Sequence, residues 1–110
     1  MKTIYNTAFV GLILALQSVL FACAKSPNAC FTLPHSNPFK VGENIRLDAS
    51  CSEKANYYSW YFKDGSYSGI SDNPITNHTY SDSGTYMLKL IAERKNSNSS
   101  VVELEVIVSP

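Results

Sequence analysis

The last third of the chain alternates apolar and polar residues with a period of two, and this restricts the fold more than any other feature. Tyr86, Leu88, Leu90 and Ala92 share one side of a segment whose other side carries Lys89 and Glu93. After the polar turn 95–99 (KNSNS), Val102, Leu104, Val106 and Val108 return opposite Glu103 and Glu105. A side-chain period of two belongs to a strand with one face in water. Two such strands make a hairpin, and a lone hairpin is marginal in water, so its apolar face calls for a second sheet.

The upstream residues supply the other strands, with turn residues at short intervals. Cys30 to Leu33 reads as a first short strand ended by Pro34. Ile45, Leu47 and Ala49 face one way, with Arg46 and Asp48 the other. Tyr58, Trp60 and Phe62 alternate with Ser59 and Tyr61 before the Asp64-Gly65 turn. Segments 66–70 and 75–80 flank the Asp72-Asn73-Pro74 loop and read as edge strands. No amphipathic helix of useful length follows residue 24. The expected fold is all-β, a two-sheet sandwich of about seven strands.

The first residues read as an export signal. Lys2 gives a short positive start, and Ala8 to Leu16 is an uncharged apolar run too short to span a membrane, for which roughly 20 residues are needed. Two cleavage readings fit. Leu20-Phe21-Ala22-Cys23 resembles a bacterial lipobox, although Phe21 is bulkier than the usual third residue; Cys23 would then be acylated and become the mature N-terminus. Alternatively, Ala22-Cys23-Ala24 is a small-x-small site, cut after Ala24 to release a secreted protein. The lipobox is the favoured reading, because a Cys at that position is uncommon. It divides the chain into a signal (1–22), a short tether (23–28) and one folded domain (29–110). By resemblance to Gram-negative lipoproteins, Ala24 rather than Asp after the Cys implies the outer membrane.

Composition narrows the function. The 110 residues hold nine Lys or Arg and nine Asp or Glu, for a net charge of zero. The cations are scattered along the sequence, with none of the concentrated basic face that nucleic-acid binding needs. Cys30 and Cys51 remain in the domain under either cleavage. In an exported protein an even pair reads first as a disulfide, with two buried free thiols as the other reading. Neither Cys has a second ligand at short spacing, and His35 and His78 stand apart, so no metal site and no cofactor are expected.

Two motifs point to a known family. Val41-Gly42-Glu43, then Leu47-Asp48-Ala49-Ser50, then Tyr58-Ser59-Trp60-Tyr61-Phe62-Lys63-Asp64-Gly65 resembles the opening of the polycystic-kidney-disease (PKD) domain, whose hallmark runs Trp-Asp-Phe-Gly-Asp-Gly. His78-Thr79-Tyr80, followed by Gly84-Thr85-Tyr86, resembles its second hallmark. The resemblance covers about residues 29 to 108 and implies an immunoglobulin-like sandwich. Tyr61 stands where the family usually has Asp, and Lys63 where it usually has Gly. The first departure removes an acidic side chain that a calcium role near the turn would use.

Each hallmark residue has a structural reading. Trp60 and Phe62 fill the space between sheets. Tyr80 hydrogen-bonds backbone across a corner, and Gly84 takes a positive φ. Asp64 holds the Gly65 turn through its own backbone, His78 packs at a strand end, and Tyr86 shares the inside with Trp60.

The residues least explained by folding are Tyr57, Tyr61 and Tyr67, of opposite parity to the core. Exposed tyrosines can stack on sugars or anchor a protein; Tyr is equally a good strand residue that tolerates water. The expected function is a non-catalytic, lipid-anchored envelope module contacting a protein or glycan. A structural spacer or assembly subunit using β-edge pairing is the alternative. An enzyme is disfavoured, since no nucleophile–base pair is legible.

Overall fold

The computed structural model describes residues 26–96 and 98–110. Cys23 and the export signal lie outside the described residues. Seven strands form: β1 (Phe39–Lys40), β2 (Ile45–Asp48), β3 (Tyr57–Tyr61), β4 (Tyr67–Ser71), β5 (Ile75–His78), β6 (Gly84–Glu93) and β7 (Ser99–Ser109). They make a five-stranded sheet in the order β1-β7-β6-β3-β4 and a two-stranded sheet of β2 and β5. All pairings are antiparallel except β1 with β7.

The alternation of the sequence sets the inside of both sheets. Tyr58 and Trp60 of β3, Phe62 just beyond it, Leu88, Leu90 and Ala92 of β6, and Val106 and Val108 of β7 are buried. Ile45, Leu47 and Ala49 meet them from the smaller sheet and its end. Trp60 is 2% exposed and meets Phe31 edge-on at 5.0 Å. The fold is the expected all-β, immunoglobulin-like sandwich.

Two expectations are corrected, and one strand was not anticipated. Cys30 to Leu33 is not a strand: around it the chain makes isolated bridges, Asn28 with Glu53 and Thr32 with Asp48, while Phe31 turns into the core. Prolines at 27 and 34 deny this segment the donors for a longer ladder. Leu104 has core parity yet is 39% exposed, because a two-stranded sheet is too narrow to cover all of β7. Finally, the strand that closes this side was not legible: Phe39 is fully buried, and β1 runs parallel to β7 with Phe39 opposite Val108. Asn37 extends that pairing with its side chain, donating to the Glu105 carbonyl at 2.8 Å and accepting from the Ile107 amide at 2.9 Å. An amide side chain thus does the work of a strand residue on the β7 edge.

Cys30 and Cys51 are bonded, with Cα atoms 5.4 Å apart. Ser52 lies beside the bridge, receiving the Cys30 amide at 2.9 Å and donating to the Cys30 carbonyl at 2.7 Å. The crosslink ties the irregular 26–33 segment to the turn after β2. With a sequence separation of 21, replacing both cysteines with serine should lower the unfolding free energy by about 3 kcal/mol. Urea denaturation measures this; a loss below about 0.5 kcal/mol would mean the ladder and Phe31 hold the segment unaided.

Candidate functional site

The outer face of the five-stranded sheet carries the three tyrosines singled out by sequence. Residues of β3 with outward parity are Tyr57, Ser59 and Tyr61, paired with Glu93, Ile91 and Lys89 of β6. On the other side Ser59 pairs with Ile70 and Tyr61 with Tyr67 of β4. Between these pairs Trp60 of β3 therefore opposes two residues of β4, Ser68 and Gly69, and the extra residue makes a bulge. The Ser68 hydroxyl completes it by accepting the Trp60 amide at 2.8 Å. The bulge has a functional consequence, because it brings Tyr67 and Ile70 onto the same face although they are three residues apart.

A row of side chains crosses the sheet there: Glu103 of β7, Lys89 of β6, Tyr61 of β3 and Tyr67 of β4. Tyr67 stacks on Tyr61 with centroids 4.5 Å apart and planes at 26°. The Lys89 ammonium stands 4.9 Å from the Tyr61 centroid. Since β3 lies between β4 and β6, these neighbours approach Tyr61 from opposite sides. Tyr61 is thus half-buried with both ring faces engaged, and its cation contact is of the favourable kind. Tyr67 differs. Its strand ends the sheet, so its second ring face looks outward, and the residue is 47% exposed.

The adjacent row is apolar: Val101, Ile91, Ser59 and Ile70. Ile70 is 64% exposed, while Ser59 is 2% exposed beneath its larger neighbours. Together the rows form a shallow apolar and aromatic ledge at the β4 edge. Tyr57 is half-buried and lies four residues along β3 from Tyr61, roughly 13 Å away. The structure brings Tyr61 and Tyr67 together and leaves Tyr57 apart. Ile70 escaped the sequence reading because a bulge resets parity, and one extra residue leaves no mark on a period-two pattern.

The hallmark residues occupy the other side of the sheet and the turn. The Tyr80 hydroxyl donates to the buried Phe62 carbonyl at 2.9 Å. Burial first, then the negative charge of Asp64, raise the Tyr80 phenol well above its ordinary value, so it stays a donor. Tyr86 stacks on Tyr80 at 4.2 Å and donates to the Asp82 carbonyl at 2.8 Å. His78 lies flat on Phe62 at 3.7 Å, edge-on to Tyr80. Gly84 has φ +155°, and a Cβ there would meet the Tyr86 ring at 3.7 Å, so backbone angle rather than space favours glycine. Lys63, at φ +68°, holds a left-handed conformation that its family position usually gives to glycine.

Asp64 was expected only to hold its turn. It does so, accepting from the Ser66 amide at 3.0 Å, and it also bonds His78. The Nε2–H of His78 donates to Asp64 Oδ2 at 2.7 Å, joining β5 of the small sheet to the β3–β4 turn of the large one. No spacing rule reveals this pair, since its members are 14 residues apart on different sheets. Chemically the order matters. The Ser66 hydroxyl bonds the carboxylate, not the imidazole, so the cluster lacks the hydroxyl-to-imidazole contact of a nucleophile and its base.

The sequence comparisons accord with this arrangement. The PKD domain model matches residues 30–107. The chain belongs to the PKD domain family. No curated protein matches it. A solved structure of carbohydrate-binding modules from the β-sandwich superfamily, described for their promiscuous specificity, is similar at TM-score 0.70 and 32% identity. That likeness covers 78% of this chain and 35% of the other, so the PKD chain spans about a third of that structure's length. The PKD1 domain of the Vibrio cholerae metalloprotease PrtV is similar at TM-score 0.62 and 20% identity, over 78% of this chain and 100% of that domain. At such identity the second likeness shows the fold. A disulfide-bonded PKD domain suits an oxidising, extracytoplasmic setting.

The clamp between the sheets has a pH signature. Burial opposes the charge on Asp64, but bonds from Ser66 and His78 outweigh it and hold the carboxyl below its ordinary value. A depressed folded-state pKa contributes stability above the unfolded value, about pH 4, and loses it as pH falls through the folded value. Asp64→Asn should therefore be less stable than wild type at pH 6 and lose less on acidification from pH 5 to pH 2. Chemical denaturation across that range checks it. Equal acid slopes for the two proteins would remove the clamp.

Proposed function

We propose that this PKD domain is a non-catalytic envelope module that contacts glycan through the Tyr67 ledge, and that acylation of Cys23 holds it at a membrane. The observation that carries the proposal is the free outer face of Tyr67, backed by Tyr61 and flanked by exposed Ile70. A pyranose presents an apolar C–H face, and a rigid ring already fixed by stacking binds such a face with little loss of side-chain entropy. The ledge is open and nearly flat, suited to a polysaccharide chain rather than an enclosed small molecule. The similarity to a structure of carbohydrate-binding modules supports the same reading. Hydrogen-bond donors and acceptors stand nearby in the Tyr hydroxyls, Lys89 and Glu103.

A protein partner is the second reading, favoured by the apolar row of Val101, Ile91 and Ile70, which extends beyond what one sugar face requires. One experiment separates them. Tyr67→Ala should weaken retention on insoluble envelope polysaccharide about tenfold, in line with the loss of about 1.5 kcal/mol of stacking. Val101→Ser, at the far end of the apolar row, should leave retention unchanged, and both variants should remain folded by circular dichroism. Retention indifferent to Tyr67 would end the glycan reading. Intact-mass analysis of the mature protein reads the proposed acylation directly.

A further inference from the structure

The cations scattered along the sequence are partly gathered by the fold. Lys54, Arg94 and Lys95 are exposed at one end of the sandwich. The Lys95 amide donates to Asn56 Oδ1 at 2.7 Å and the Asn56 amide to the Glu93 carbonyl at 2.7 Å, so loop 53–56 and the β6–β7 turn are adjacent. Among the described residues none of the three cations makes an ion pair. Two carboxylates stand at the same end. Glu93 is half-buried with the parity of the outer sheet face, and Glu53 is exposed.

The N-terminal segment enters at this same end. The Asn98 side chain donates to the Ser26 hydroxyl at 3.0 Å, Asn28 exchanges backbone bonds of 2.9 Å with Glu53, and the Ala29 amide donates to Ser100 at 3.1 Å. The domain is therefore gripped from Ser26 onward. Between Cys23 and Ser26 the chain can span at most about 11 Å. That reach is comparable to the screening length of about 8–10 Å at physiological salt. An acyl group on Cys23 would hold the three unpaired cations close enough to feel the headgroup charge.

We infer that the end of the sandwich formed by Lys54, Arg94 and Lys95 is a docking surface for anionic phospholipid headgroups. It works beside the lipid on Cys23 and fixes the orientation of the domain. The inference rests on the acylation proposed above. One cationic cluster near an anionic surface adds to an acyl anchor, because each Lys or Arg there raises binding about fivefold. Docked this way, the domain points the Asp64–Gly65 turn away from the membrane and leaves the Tyr67 ledge on its flank, open to polymer.

The test uses the full chain carrying Cys23→Ser, exported without lipid, so that only the protein surface can bind. It is sedimented with vesicles of phosphatidylcholine alone or with 30 mol% phosphatidylglycerol. Binding should be stronger to the phosphatidylglycerol vesicles at low salt and should disappear in 0.5 M NaCl. Adding Lys54→Gln, Arg94→Gln and Lys95→Gln should weaken it roughly a hundredfold, while Lys40→Gln with Lys63→Gln, at the far end, should not. Equal binding to both vesicles, or equal losses from the two sets of substitutions, would overturn the inference. Intact mass reads the anchor separately: an unacylated wild-type chain would end the acylation proposal, and vesicle binding by the Cys23→Ser chain would still uphold the docking surface.

Discussion

A sheet with one apolar face cannot stand in water alone, and everything in this molecule follows from how that face is covered. The five-stranded sheet offers Tyr58, Trp60, Leu88, Leu90, Val106 and Val108; among the described residues two further strands cover them. The deficit is met by irregular chain. Phe31 comes from the N-terminal segment, Phe39 from a two-residue strand, and Tyr80 from the corner after β5. Trp60 is the largest of the fully buried side chains, and the disulfide, the Tyr80 hydroxyl and the Asp64–His78 pair are means of keeping the cover in place.

This explains why the hallmark residues look chemical and act structurally. A histidine bonded to an aspartate near a serine invites a catalytic reading, but here the aspartate sits between the other two. The imidazole is stacked on Phe62, and its bond spans the two sheets. The set Phe62, Asp64, His78, Tyr80 and Tyr86 is one continuous joint. That joint lies inward and at the turn, and Tyr61, which stands where the family usually has Asp, lies on the opposite face of β3.

Much of the architecture was legible in the residues. The alternation of β3, β6 and β7, the inward Trp60, the corner at Tyr80 and the turn at Asp64-Gly65 all follow from period and turn chemistry, which are local. What could not be read depends on non-local register. The parallel pairing of Phe39 with Val108, the Asp64–His78 bond and the exposure of Leu104 each require knowing which strands face each other. The ledge is intermediate. Parity marked Tyr57, Tyr61 and Tyr67, but only the bulge in β4 decides that Tyr61 is covered, Tyr67 open, Ile70 their neighbour and Tyr57 remote.

The aromatic residues divide into an inner set that builds the sandwich and an outer pair, in which Tyr61 backs Tyr67 and Tyr67 offers the face proposed to meet glycan. Nuclear magnetic resonance of the aromatic side chains during titration with soluble envelope oligosaccharide tests this division most directly. The ring signals of Tyr67 and Tyr61 should shift together and saturably, while those of Trp60, Tyr80 and Tyr86 stay fixed. Shifts centred on Trp60 or His78, or no shift in any ring at saturating sugar, would contradict the account.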